Sequence, residues 1–242
     1  MTFTFIALIS FLAALVRSTL GFGESLIAVP LFLLFLPART AVPLAVMLSV
    51  VIALVILARD YRNVHFSSAK WLVLYAVLGI PVGVAILIHA PGGLIKTILA
   101  ILIIAYALYA LYTSASVRRT NVPRYALFLC GFTSGVLGGA YGLNGPPLVI
   151  YGNLRQWSAA HFRATLQAYF LPVSLISVLI YRQQGLISTQ VIDLFILALL
   201  PSIPAIFIGR YLNKRLPKPL FFQYCYWGLI GIGIILLLTT YG

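Results

Sequence analysis

Six apolar runs follow one another along this chain, at 40–58, 71–89, 94–112, 164–181, 186–208 and 219–240. Most reach the ~20 residues that a helix needs to cross a ~30 Å hydrocarbon core. They are continuous rather than alternating, which speaks against a transmembrane β-barrel. Composition agrees: 62% hydrophobic, 8% charged, mean hydropathy +1.09. A soluble domain is about half apolar and a quarter charged. The expected fold class is an all-α polytopic membrane protein, multi-pass in a cell membrane and read as the bacterial inner membrane.

The first segment, MTFTFIALISFLAALVRS, has no basic residue ahead of its apolar stretch, and Arg17 follows it, so it reads as retained structure rather than a signal peptide. Cys130 and Cys225 lie inside apolar segments, with no spacing that suggests metal or redox work. The net charge of +13 fits basic cytoplasmic loops held at an inner leaflet. No basic amphipathic stretch argues for nucleic acid.

The most polar interruption, TSASVRRTNVPR at 113–124, divides the chain into two regions, 1–115 and 122–242. Each begins with an apolar segment that ends in a glycine-rich break, LGFGESLIAVP in the first and GVLGGAYGLNGPPLVIYG in the second. A short apolar segment and three long runs follow each break. A shift of 121 residues lays Gly21 on Gly142, a weak internal repeat of the kind that secondary transporters carry.

Positive charges test whether the broken regions cross the membrane. Counted as continuous crossings, they split the loop Lys and Arg residues seven against eight. Counted as hairpins, they leave Arg39, Lys96 and Arg182 on one side and twelve on the other, with Arg17 inside the first hairpin. The cytoplasmic bias of Lys and Arg favours the hairpins. Each half then holds a re-entrant helix hairpin plus three transmembrane helices, and the halves are inverted repeats. Both termini face outside. Residues 24–36 and 145–154 give about 20 Å and about 15 Å of helix, too short to span.

A half-helix that begins in mid-membrane carries amides that lipid cannot satisfy. Two such N-termini, each with partial positive charge, make a site that favours an anion. Gly21, Gly23, Gly142 and Gly145 permit close backbone approach, Asn144 suits the N-cap of a helix opening at GPP, and Pro146 fits its first turn. Ser25 offers a hydroxyl. Gly131, Gly135, Gly138 and Gly139 read as helix-packing residues.

Glu24, in the first turn of the short helix, is either a cap or a proton carrier, because desolvation strengthens a carboxylate's hold on its proton. Arg17 and Arg163 are candidates to pair with an anionic substrate. For Arg17 a Glu24 salt bridge competes with that role, and for Arg163 a place at the cytoplasmic boundary. Asp193 reads as an outer-interface residue or a second proton site. His65, His89 and His161 are too scattered for a metal site.

The motifs GFGESLIAVPL, GVLGGAYGLNGPPLVIYG and HFRATL resemble those of the TauE/SafE sulfite exporter family, across essentially the whole chain. In the first motif Glu24 and Ser25 stand where a glycine-triplet form is common in that family. The resemblance implies a secondary transporter of sulfite, sulfonates or related organic anions, with frequent export and proton coupling. Its signature positions are Gly21, Gly23, Pro30, Gly142, Gly145 and Pro146. The expected partners are a small anion, protons and the lipid bilayer, with no cofactor or metal. A passive anion channel of the same fold is the alternative. A membrane-embedded enzyme is a weaker one, since it needs a nucleophile or metal constellation.

Overall fold

The computed structural model describes residues 2–60, 66–112, 124–155, 159–215 and 218–241, where all regular structure is helical. The interruption at 113–123 and His65 lie outside the described residues, as does the side chain of His161. In chain order the helices are α1 (Thr2–Leu20), α2 (Glu24–Phe32), α3 (Ala38–Asp60), α4 (Phe66–His89) and α5 (Gly92–Tyr112). They continue with α6 (Arg124–Tyr141), α7 (Gly145–Leu154), α8 (Ala159–Gln183), α9 (Thr189–Arg215) and α10 (Lys218–Tyr241).

Among the described residues seven helices, all but α2, α6 and α7, are long and apolar enough to cross a membrane. The chain is a multi-pass membrane protein. Its long helices are apolar on their outer faces too, with Leu78, Leu179, Leu200 and Leu238 exposed where lipid would lie. The interior holds the polar groups, including Arg17, Glu24, Ser49, Gln167 and Ser174.

The short helices α2 and α7 have 9 and 10 residues, about 14 and 15 Å at ~1.5 Å per residue. The first is shorter than the expected 24–36. Its end tightens at Phe32, where the amides of Phe35 and Leu36 both bond the Phe32 carbonyl, at 3.0 and 2.7 Å. Pro37 then precedes α3.

Contacts give relative directions. Ser10 lies beside Ser202, and Thr19 beside Gly209 and Asn213, so α1 and α9 run the same way. Gly131, Gly135 and Gly139 of α6 meet Leu72, Ala76 and Ile80 of α4 in rising order, so that pair is also parallel. Thr97 bonds Tyr241 while Gly233 packs on Ile103 and Ile104, so α5 and α10 are antiparallel. Ser49 bonds Ser174, and Ile56 shares a cavity with Arg163, which makes α3 and α8 antiparallel.

Exchanging α1–α5 for α6–α10 maps these pairings onto one another. The pair α1·α9 becomes α6·α4, α3·α9 becomes α8·α4, and α3·α8 and α5·α10 map onto themselves. The α4·α6 seam is the tightest. A Cβ on Gly79 would run into the Phe132 carbonyl, and one on Gly135 into the Ala76 carbonyl. Close backbone approach between small residues is how helices associate where lipid removes a hydrophobic drive. Gly138 departs from the expected packing role. It faces inward, against the side chain of Asn144.

Candidate functional site

Both glycine breaks come together in the centre of the bundle. The first is the turn between α1 and α2, where Gly23 takes φ 100° and serves as N-cap with no side-chain cap bond. The second lies between α6 and α7, where Gly142 takes φ 68°. These are left-handed conformations that side-chain-bearing residues rarely adopt. Phe22 packs between them, edge-on to Phe162 and Tyr106, and a Cβ on Gly145 would touch it at 3.4 Å.

Between the breaks is a cavity of about 10 Å3 lined by Gly23, Glu24, Ser25, Gly142, Asn144 and Phe170, among others. That is room for about one water. The start of α2 lies on it without a side-chain cap. At the start of α7, Asn144 holds the N-cap position, but its Oδ1 makes no hydrogen bond. This departs from the expected cap: the side chain is turned against Gly138 instead. Ser134 holds the break by donating to the Asn144 carbonyl at 2.6 Å, and Tyr169 donates to Ser134 at 2.8 Å.

Directly behind the cavity lies the charged centre. Arg17 is 0% exposed and Glu24 6% exposed. The Arg17 guanidinium pairs with Glu24 Oε1 and donates to Ser49 Oγ at 2.7 Å and to Gln167 Oε1 at 2.7 and 3.1 Å. Its carbon sits 4.7 Å from the Phe170 ring centroid, a cation–π contact. Ser25 donates to the same Glu24 oxygen at 3.2 Å. Gln167 Nε2 donates to the Gly21 carbonyl at 2.6 Å, which ties α8 to the first break. Buried charges survive only when paired and hydrogen-bonded, and both conditions hold.

Of the ten residues singled out from sequence, Gly23, Glu24, Ser25, Gly142, Asn144 and Gly145 line the cavity, and Arg17 sits behind it. Gly21 supplies the carbonyl to Gln167. Pro146 lines a neighbouring apolar cavity. Arg163 passes Gly21, where an added Cβ would meet its Cγ at 3.0 Å, and lines a separate small cavity with Arg210 and Val55. Gln167, Ser49, Ser174 and Phe170 were not anticipated. Asp193 is exposed, just past the first turn of α9.

The chain matches the family described as Sulfite exporter TauE/SafE over residues 6–236 of 242. It belongs to the TauE/SafE family. The matched range covers both breaks and every residue of the charged centre, so this TauE/SafE protein is a membrane transporter whose central polar cluster lies within the family's own span. No curated protein and no solved structure matches it.

Proposed function

We propose that the chain is a secondary active transporter of small organosulfur or organic anions, such as sulfite or a sulfonate. The site lies between the two glycine breaks, and transport is proton-coupled. One observation carries the reading: a cavity onto which two short helices begin is lined by Glu24, whose carboxylate is paired with the buried Arg17 behind it. Helix N-termini favour anions. Arg17 supplies a full positive charge at that place, and Glu24 is paired with it.

Coupling follows from competition. With Glu24 ionised, Arg17 is already neutralised and a second anion would be repelled. Protonation of Glu24 leaves the guanidinium uncompensated, and the anion replaces the carboxylate as its partner. The neutral acid can then donate a hydrogen bond toward the bound anion. Proton and anion thus bind together, and export or uptake is set by the gradients.

Alternating access is the second part. We read residues 1–115 and 122–242 as inverted repeats, each a re-entrant hairpin (α1 with α2, α6 with α7) plus three crossings. The exchange of pairings and the antiparallel packing of α3 on α8 and α5 on α10 support that reading. Rocking one repeat against the other would open the cavity to one side at a time.

The test is uptake into proteoliposomes with sulfite and with methanesulfonate. An acid outside should drive uphill accumulation of methanesulfonate, the anion of a strong acid, which a passive channel cannot do. Arg17→Ala should lose flux, whereas Glu24→Gln should keep downhill flux but lose its response to the pH gradient. Unchanged proton-driven flux in both variants would refute the site.

A further inference from the structure

A second, far larger cavity adjoins the central one. It measures about 360 Å3 and is lined by Leu102 and Tyr106 of α5, Leu129 and Leu137 of α6, and Pro147 and Ile150 of α7. Volumes of about 300–1,000 Å3 with mostly apolar walls are those of ligand pockets. Leu26 and Leu143 belong to the walls of both cavities, and Pro146 follows Gly145 from one into the other. Leu26 and Leu143 thus form a common wall between the two spaces, and the larger one has exposed residues such as Tyr109 and Leu129 in its lining.

It also breaks the pattern of paired helices. The short helix α2 packs on α1 and α3 as α7 does on their counterparts α6 and α8, but α2 also packs on α10, and among the described residues α7 has no comparable packing on α5. The counterpart region beside α2 is filled by helix.

From this shared wall and the unpartnered α5–α7 space we infer that the transported anion is amphiphilic: a single charged head held between the two breaks, carrying an apolar body of several carbons that passes Leu26 and Leu143 into the α5–α6–α7 cavity. The inference rests on the anion site proposed above and names its substrate class. A hydrocarbon body seated there leaves water for apolar surroundings, and each methylene that does so contributes to affinity.

The experiment is a titration of the purified protein with n-alkanesulfonates from methane- to octanesulfonate, with sulfite alongside, followed by calorimetry. Affinity should rise about fourfold for each methylene seated in the cavity and level off once the space is full. Ala105→Phe, on the α5 wall, and Thr133→Phe, on the α6 wall, should each flatten the series toward the methanesulfonate value. Native mass spectrometry on the same samples asks whether a phospholipid occupies the cavity instead. Equal affinity along the series, or a retained lipid that octanesulfonate does not displace, overturns the inference while leaving the anion site standing. If neither sulfite nor any sulfonate binds, the anion site itself falls, and the inference with it.

Discussion

Arg17 and Glu24 hold each other in place, and the cost of separating them is predictable. Removing one partner of a buried pair strands the other charge, at about 3–5 kcal/mol. Arg17→Met and Glu24→Gln should each lower the unfolding midpoint in detergent. The double variant should recover most of the loss, because no charge is left buried, while anion transport is absent as in the Arg17 variant alone. A double variant no more stable than the singles would show that the pair is not energetically isolated. Gln167→Ala should weaken anion binding by frustrating Arg17 and freeing the Gly21 carbonyl, a loss readable by titration with sulfite. Glu24 was legible in the sequence because a carboxylate beside two glycines in an apolar stretch demands a reason. Gln167 and Ser49 carry the same physical signal, a lone polar side chain inside an apolar run. Nothing local, however, fixes which face of the helix they occupy, and they make sense only once α3 and α8 are seen to converge on Arg17.

At the level of helices, the α4·α6 seam depends on the absence of side chains. Gly135→Ala should destabilise strongly, since the new methyl meets backbone of α4 rather than a side chain that can turn aside. Gly228→Ala and Gly231→Ala on α10 face open space and should be neutral or slightly stabilising, as glycine in a helix costs roughly 0.5–1 kcal/mol relative to alanine. Thermal unfolding of the three variants side by side checks the contrast. The breaks themselves were readable, because glycines interrupting apolar periodicity leave few other options. The length of α2 was not: its apolar run continues past Phe32, and only the tightened turn before Pro37 ends the helix. The α5–α7 space was invisible in the sequence, since a wall of leucine and tyrosine reads the same whether it faces a neighbour, a ligand or lipid.

For the whole molecule, orientation is testable without transport. A membrane-impermeant maleimide applied to intact cells should label Pro37→Cys and Gln184→Cys but not Arg155→Cys, in a background lacking Cys130 and Cys225; all three positions are exposed. Reaction at position 184 with silence at 37 would turn the second hairpin into a plain crossing. Charge accounting gives a further test. One proton carried with a monovalent anion moves no net charge. With a dianion it moves one negative charge, worth about 2.3 kcal/mol per 100 mV, which an inside-negative potential pushes outward. Solid-supported membrane currents should therefore be silent for methanesulfonate and present for doubly ionised sulfite. The volume of the central chamber sets the pace of either. A gap that admits a single water cannot let a solute diffuse through; helices must part for every molecule carried. Turnover should accordingly follow the microsecond-to-second clock of collective rearrangement, rise steeply on warming, and leave the resting membrane tight to leak.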